Sequence, residues 1–113
     1  MNIEISISSR NEHSILKKGM EYINQSVKDT LQWNKDKIYN YYKTECDIPE
    51  ENILPLFNEL IKKYPSLDIF ALYSYSIREE DRSAQWWVTT TIKTEHHPDG
   101  TTTLRTDSNT NWF

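Results

Sequence analysis

The sequence is poor in residues that build covalent or metal-held frameworks. Its 113 residues include one cysteine, Cys46, and two glycines. A single cysteine excludes an internal disulfide, and it also excludes a zinc site built from several cysteines. The sequence also has no glycine-rich loop of the kind that cradles phosphate groups. The sequence therefore excludes a disulfide-stabilised domain, a multi-cysteine zinc domain and a protein with a glycine-rich phosphate-binding loop.

Long hydrophobic runs are also missing. The first ten residues, MNIEISISSR, lack the basic region and the apolar region of a secretory signal peptide. The longest apolar stretch, residues 69–72, is far too short to cross a membrane. We therefore expect a cytoplasmic protein with no membrane partner.

Positive charge is outnumbered in this chain. Thirteen Lys and Arg residues stand against 17 Asp and Glu residues, which gives a net charge of −4 and a pI near 5.3. This balance disfavours the phosphate backbone of nucleic acid as a partner. It is typical of a soluble surface, and it would also steer a basic protein partner into encounter.

Aromatic residues are the abundant class, with four Trp, seven Tyr and three Phe. This content is too high for a disordered chain, and large rings can close a small core with few side chains. A chain of 113 residues has room for one such core. We therefore treat residues 1–113 as a single domain.

Hydrophobic periodicity predicts a strand followed by a helix at the start of the chain. Residues 2–8 alternate between isoleucine and polar residues, which indicates a half-buried strand. Apolar residues then recur at helical spacing and predict a helix over 11–29, with Ser9 and Glu12 spaced as a capping box. Gly19 lies near the apolar stripe, and we expect it to allow a close approach to the sheet. The stripe consists of Leu16, Met20, Ile23 and Val27.

The middle of the chain is harder to interpret. Residues 37–44 fit either a strand or a short helix, and their tyrosines favour the strand. Pro49 then announces a second helix, predicted over 51–64, in which Pro55 should delay or bend the first turn. We expect Phe57, Leu60 and Ile61 to be buried on its apolar face.

The pattern in the last third of the chain predicts three strands. Residues 66–77 are apolar on both faces at their centre, which indicates a central strand. Residues 84–95 and 101–109 form a hairpin around the turn His-Pro-Asp-Gly. The whole order predicts an α+β fold, with an antiparallel sheet of four to five strands and two helices packed on one face.

One face of this hairpin is a candidate partner-binding surface. Trp87, Thr89, Thr91 and Lys93 share a face, whereas Ile92 points towards the core. With both helices on the Ile92 side, nothing in the chain remains to cover the Trp87 side. Threonines are good exposed strand residues in any case, but Trp is also common in interface hot spots.

The reactive side chains do not form a recognisable catalytic site. Adjacent His96 and His97 should point to opposite sides of a strand, so we expect no metal site there. Cys46 has no local signature that would make it a nucleophile. We therefore predict no enzyme activity, catalytic residue or cofactor. Three acidic residues in one loop could meet a basic partner or simply be solvated; they are Glu79, Glu80 and Asp81.

Part of the chain resembles the ferredoxin-like domain of the Api92-like family. The similar segment runs from residue 34, NKDKIYNYYKTE, through the tryptophans at 86 and 87. Pro49 begins a helix, Tyr64, Pro65 and Leu67 form the turn into a strand, and the acidic residues 79–81 follow. The resemblance implies a ferredoxin-like tendency in the fold.

The overall format is similar to immunity proteins of bacterial contact-dependent growth inhibition and related polymorphic toxin systems. Those proteins are small, acidic, cytoplasmic domains without catalytic motifs, and they occlude the active site of a toxin such as a basic nuclease. The likeness implies a function but assigns no residues. If it holds, acidic side chains near 79–81 or 47–51 would steer association, and an aromatic anchor such as Trp87 or Trp112 would hold the complex. The alternative is a ferredoxin-like domain that binds nucleic acid or a small ligand on its sheet face, with Trp87, Tyr73 and Tyr75 as stacking platforms.

Overall fold

The protein folds as two helices and an open antiparallel sheet. The computed structural model describes residues 1–9, 13–27, 31–36, 41–78 and 85–112. The elements in chain order are β1 (Asn2–Ser8), α1 (His13–Ser26), β2 (Asn34–Asp36), β3 (Tyr41–Asp47), α2 (Glu50–Lys63), β4 (Asp68–Arg78), β5 (Gln85–His96) and β6 (Thr102–Trp112). The α+β class and the antiparallel sheet are as the sequence predicts. The sheet of the described residues has six strands, where four to five were expected.

The extra strand comes from the middle of the chain. Residues 41–47 form β3, so the strand interpretation of this region is confirmed there. β2 pairs with β3 in an antiparallel arrangement, whereas the sequence was interpreted as containing one strand. The predicted strand covered residues 37–44, and its first half, residues 37–40, lies outside the described residues.

The strand order is β2-β3-β1-β4-β5-β6. β1 lies antiparallel to both β3 and β4, so β3 and β4 run parallel to each other with β1 between them. The segment β3-α2-β4 is therefore one split β-α-β unit. A ferredoxin-like domain contains two such units, but here α1 and β2 lead from β1 to β3, its antiparallel neighbour. Within the described residues, β3-α2-β4 is the part of the chain that has this connectivity.

The core lies between one face of the sheet and both helices. Ile3, Ile5 and Ile7 of β1 are fully buried, as the alternating pattern predicts. Each isoleucine removed from water in this way contributes about 1.5–3 kcal/mol. The helix residues predicted to be core are also buried, with Met20 half-buried against them; they are Leu16, Ile23, Phe57, Leu60 and Ile61.

Gly19 is placed where α1 meets this core. A Cβ atom at this position would lie 2.9 Å from Cδ2 of Leu67 and 3.8 Å from Cδ1 of Ile7. The absence of a side chain therefore lets α1 approach the β1 and β4 side of the sheet closely, which confirms the expectation from the sequence. Glu12 of the predicted capping box and residues 28–29 of the predicted helix lie outside the described residues.

α2 begins one residue before the start predicted at residue 51. The helix starts at Glu50 and continues through Pro55. Proline has no N–H, so the carbonyl oxygen of Glu51 loses its helical partner. Glu51 is exposed, so water can bond that carbonyl and the helix can begin there. The helix dipole also interacts favourably with the charged residues at both ends of α2, and this stabilises the helix. These residues are Glu50 and Glu51 in the first turn and Lys62 and Lys63 in the last turn.

The hairpin between β5 and β6 is closed by a tight loop. The N–H of His97 donates to the carbonyl of Thr101 at 2.9 Å, and the N–H of Gly100 donates to the carbonyl of His97 at 3.0 Å. Gly100 has φ +89°, a conformation that favours glycine. This is the turn that Pro98-Asp99-Gly100 predicts, and it fixes the register of β5 against β6.

β4, β5 and β6 extend beyond the end of β1. Ile3 of β1 pairs with Tyr73, so the last residues of β4 have no β1 partner beside them. Tyr75 on the helix-side face is consequently 37% exposed. The molecule measures 52 × 35 × 27 Å, and its radius of gyration of 15.6 Å exceeds the roughly 13 Å of a compact chain of this length. None of the described helices is long and apolar enough to span a membrane.

Candidate partner-binding face

The face of the sheet opposite the helices is uncovered by any described element. We call it the open face, and it consists of the alternate residues of β1, β3, β4, β5 and β6 that point away from the core. Strand register arranges these residues in rows across the sheet, because paired residues of antiparallel strands lie on the same side. Two neighbouring rows hold most of the charge.

The first row crosses β3, β1, β4, β5 and β6 and carries cations. Its members are Lys43, Ser6, Phe70, Lys93 and Arg105. Phe70 occupies the middle of the row with 44% of its surface exposed, which is unusual for a phenylalanine in a central strand. A large apolar ring therefore lies in a field of polar and charged groups.

The second row lies two residues along each strand and carries anions. Its members are Glu45, Glu4, Leu72, Thr91 and Asp107. Leu72 is half-buried beside Phe70, so the two rows share a small apolar centre. Opposite charges flank this centre in adjacent rows.

Ion pairs connect the two rows. Lys43 Nζ lies 2.9 Å from Glu4 Oε1. The pKa of Lys43 is raised, first by its hydrogen bond to Glu4 and then by the charge of that carboxylate. Arg105 Nε lies 3.1 Å from Asp107 Oδ2, and Arg105 Nη1 lies 3.4 Å from Glu95 Oε1. Exposed pairs of this kind contribute little to stability because water and salt screen them, so their main effect is on the charge pattern of the surface.

The described side chains of the open face are acidic in sum. They include three cations, Lys43, Lys93 and Arg105, and six carboxylates. Their formal charge is therefore −3, and the N-terminal ammonium group, which is ion-paired with Asp47, brings the sum to −2. The carboxylates are Glu4, Glu45, Asp47, Asp68, Glu95 and Asp107.

A shallow hollow of about 320 Å³ lies beside Phe70. Its walls include Phe70 of β4 and Tyr41 of β3, and its floor includes Ser6 and Ser8 of β1. The hollow exists because β1 carries small side chains between two strands that carry rings. Asp68 adds a carboxylate to one end of it.

His96 lies in a hydrogen-bonded cluster at the end of β5. Its Nε2 is 2.6 Å from Asp68 Oδ1, and its Nδ1 is 3.1 Å from Thr102 Oγ1. The Thr102 hydroxyl in turn donates to the carbonyl oxygen of Pro65 at 2.7 Å. Since the single hydroxyl proton of Thr102 is directed at Pro65, Thr102 is not arranged as a nucleophile with His96 as its base. The cluster ties the β5–β6 hairpin to the turn that precedes β4.

His97 points away from this cluster. Its Nε2 lies 2.7 Å from Thr103 Oγ1, so the two histidines bond to neighbouring threonines on opposite faces of β6. Asp99 in the turn accepts from the N–H and the hydroxyl of Thr101, and these bonds lower the pKa of its carboxyl group. Within the described ranges, no three His, Cys, Asp or Glu side chains lie close enough to hold a metal ion.

Four of the proposed partner-binding residues share the open face. They alternate along β5 and pair with open-face residues of β4; they are Trp87, Thr89, Thr91 and Lys93. Lys93 is exposed, and the other three are half-buried. Trp112 is the register partner of Trp86, whereas Trp87 pairs with Asn111. The acidic residues Glu79, Glu80 and Asp81 lie outside the described residues.

The stacking platform suggested by the alternative hypothesis is not formed. Tyr73 and Tyr75 pair with Thr90 and Val88, which places them on the helix-side face, whereas Trp87 lies on the open face. Tyr73 is also only 9% exposed, and burial raises its pKa. The prediction that these three rings present one surface was wrong. Tyr75 pairs with Val88, the residue next to Trp87, and successive residues of a strand point to opposite faces of the sheet.

Phe70 and Leu72 are the open-face residues that sequence reasoning missed. The signal was present, since β4 was seen to be apolar on both faces and the Trp87 side of the sheet was expected to be uncovered. Those two inferences together expose the outer apolar residues of β4. Comparison of the chain with models of protein families, with curated proteins and with solved structures finds no match.

Proposed function

We propose that this protein is an immunity-type inhibitor, which binds a cognate toxin domain and neutralises it by covering its active site. The observation that carries the proposal is the open face, an acidic sheet surface with the exposed ring of Phe70 near its centre. Inhibition by occlusion needs a surface of this kind and needs no catalytic residue or cofactor.

The charge of the open face supports a basic partner. A formal charge of −2 on its described side chains and the N-terminal ammonium group attracts a protein whose active site is cationic, and nucleases that bind phosphate have such sites. Attraction of this kind speeds encounter and falls with ionic strength. The acidic residues 79–81, in the segment between β4 and β5, would add to the same field.

The apolar centre supports tight binding once the partner has docked. Binding energy in protein interfaces concentrates in a few large side chains that are surrounded by polar groups which exclude water. Phe70 has this setting, with Ser6 and Lys93 beside it in its row and the hollow at its edge. Trp87 lies on the same face, further along β5 from Lys93, and would form a second anchor.

The row pattern supports specificity. A partner must place anions over the Lys43–Lys93–Arg105 row and cations over the neighbouring acidic row. A shift by one row would bring like charges together, which costs several kcal/mol in an interface. An inhibitor that must recognise one toxin among related ones benefits from such a pattern.

The experiment is to measure binding to the protein encoded immediately upstream of this gene, and to test whether co-expression relieves its toxicity. Phe70→Ala should weaken binding by about 2 kcal/mol, or roughly 30-fold in Kd. Leu54→Ala is the matched control, because Leu54 on α2 is similarly exposed, at 42%, but lies away from the open face. Absence of binding at micromolar concentration, or equal effects of the two substitutions, would contradict the proposal.

The alternative is that the open face binds nucleic acid or a small ligand. Two observations favour it: three cations lie in one row with Phe70, and the hollow has the volume of a small ligand pocket. However, Lys43 and Arg105 are already ion-paired, and the adjacent row is acidic. Binding of a single-stranded oligonucleotide that weakens with added salt would favour this alternative.

A further inference from the structure

The two edges of the described sheet differ greatly in length. β2 forms one edge with three residues, and β6 forms the other with 11 residues. The outer side of an edge strand carries N–H and C=O groups that can pair with another strand. A three-residue edge offers little to pair with, whereas β6 offers a long template.

β6 lacks several of the features by which natural proteins protect such edges, although it carries the charged residues Arg105 and Asp107. Its sequence, TTLRTDSNTNW, contains no lysine and no proline. Residues 105–110 are exposed on both faces of the strand, and within the described part of the chain no strand pairs with the outer side of β6. β6 also contains no β-bulge, since all 11 of its residues pair in continuous register with β5.

The charges of β6 are self-complementary. Arg105 and Asp107 flank Thr106, and both lie on the open face. Consider two copies of β6 that pair antiparallel, with their two Thr106 residues opposite each other across the two-fold axis. Arg105 of each copy then lies directly opposite Asp107 of the other. The remaining facing pairs are polar or small, for example Leu104 with Ser108. Any register shifted by two residues places Arg105 opposite Arg105 or Asp107 opposite Asp107.

We propose that two copies of this chain associate through β6, in antiparallel register centred on Thr106, so that their sheets form one continuous sheet. A two-fold interface uses the same patch on both copies, which fits a strand that is complementary to itself. The opposite-charge pairs select the register, and the backbone hydrogen bonds hold it. This association goes beyond the proposed inhibitor function and does not depend on it, because it can be measured with the purified protein alone.

Charge reversal tests the pairing. The wild-type chain should sediment mainly as a dimer at about 100 µM, which requires a Kd of about 10 µM or lower. Arg105→Asp alone places two carboxylates opposite each other at both pairs, and Asp107→Arg alone places two cations there. Each variant should weaken self-association at least about tenfold. An equimolar mixture of the two variants should dimerise again, because the two carboxylates of one chain then face the two cations of the other.

Cysteine cross-linking tests the register. In a Cys46→Ala background, Thr106→Cys should form an intermolecular disulfide under mild oxidation, because directly opposite residues have Cα atoms about 4.5–5.5 Å apart. Thr103→Cys is the matched control, since residue 103 would face Asn109 of the second copy. A monomeric wild type at about 100 µM, single variants that dimerise like wild type, a mixture that stays monomeric, or equal cross-linking at 103 and 106 would each overturn the proposal.

Discussion

Lys93 of β5 and Arg105 of β6 lie directly opposite each other on the open face. Like charges in facing positions destabilise a strand pair. Arg105 turns towards Glu95 and Asp107, which offsets part of the repulsion, and the side chain of Lys93 stays exposed. The pair makes the hairpin less stable than its length allows, and an anionic group of a partner placed over it would relieve the repulsion.

Removing one member of this pair should stabilise the free protein. Lys93→Thr replaces the cation with a residue that favours strands, so the free energy of unfolding should rise by about 0.2–1 kcal/mol. Urea unfolding at low salt measures the gain, and added salt should reduce it. Lys35→Thr in β2 is the control, because Lys35 faces Tyr42 rather than another cation. A loss of stability for Lys93→Thr would contradict the inference that repulsion between Lys93 and Arg105 weakens the hairpin.

The acidic residues 79–81 and Trp87 should affect different rate constants of toxin binding. Charge reversal at Glu79, Glu80 and Asp81 should slow association and flatten its salt dependence, while dissociation changes little. Trp87→Ala should speed dissociation, with a loss of about 2 kcal/mol if the ring is a hot spot. Both rate constants are measured by surface-based kinetics against the upstream-encoded protein. Unchanged rates for both variants would place the contact surface elsewhere.

Phe57 should be the most costly apolar residue of α2 to truncate. Its side chain is fully buried in the core, so Phe57→Ala should lower the free energy of unfolding by about 3–5 kcal/mol. Leu54→Ala, on the exposed side of the same helix, should cost about 0.5 kcal/mol or less. Denaturant unfolding of both variants checks the contrast. Similar losses would show that α2 does not pack on the sheet through its Phe57 face.

Cys46 should be unreactive in the folded protein. Burial, assisted by the negative charge of Asp47, raises its pKa from 9.0 to about 11. At pH 8 only about one thiol in a thousand is then the reactive thiolate, and the side chain is 7% exposed. Labelling by a thiol reagent should therefore be at least about 100-fold slower in buffer than in denaturant. Equal rates would contradict the burial of this residue.

The same shift predicts a loss of stability in alkali. The folded state holds the Cys46 proton more tightly than the unfolded state, so the contribution is complete below pH 9.0 and is lost as pH rises towards about 11. The raised pKa of Tyr73, caused mainly by burial, acts in the same direction. Cys46→Val removes the first of these groups. Its stability should therefore fall less than that of wild type over the same pH range in parallel urea titrations.

Local patterns in the sequence were sufficient to predict most helices and strands, but they did not predict which strands lie next to each other in the sheet. The alternation of Ile3, Ile5 and Ile7 and the helical spacing around Phe57 identify buried stripes, because periodicity depends only on a segment's own geometry. The pairing of β2 with β3 was missed because short polar and tyrosine-rich segments carry little periodicity. The rows of the open face depend on which strands are adjacent, and no local pattern specifies that β1 lies between β3 and β4.

The exposure of Phe70 also could not be predicted from the local sequence. A strand that is apolar on both faces is usually covered on both, which is why β4 was predicted to be central. β4 is central, but only one of its faces has a helical layer among the described elements. Whether the second face of a strand is buried depends on how many helices the rest of the chain supplies and where they pack.

None of the described side chains of β6 is fully buried, whereas every second residue of β1 is. The protection of backbone amides against hydrogen exchange should follow this difference. Amides of β1 should exchange only when the whole domain unfolds, and those of β6 through local opening at lower free energy. The outermost strand can thus separate and re-form while the core stays intact, so the sheet edge is available on a faster timescale than global unfolding would permit.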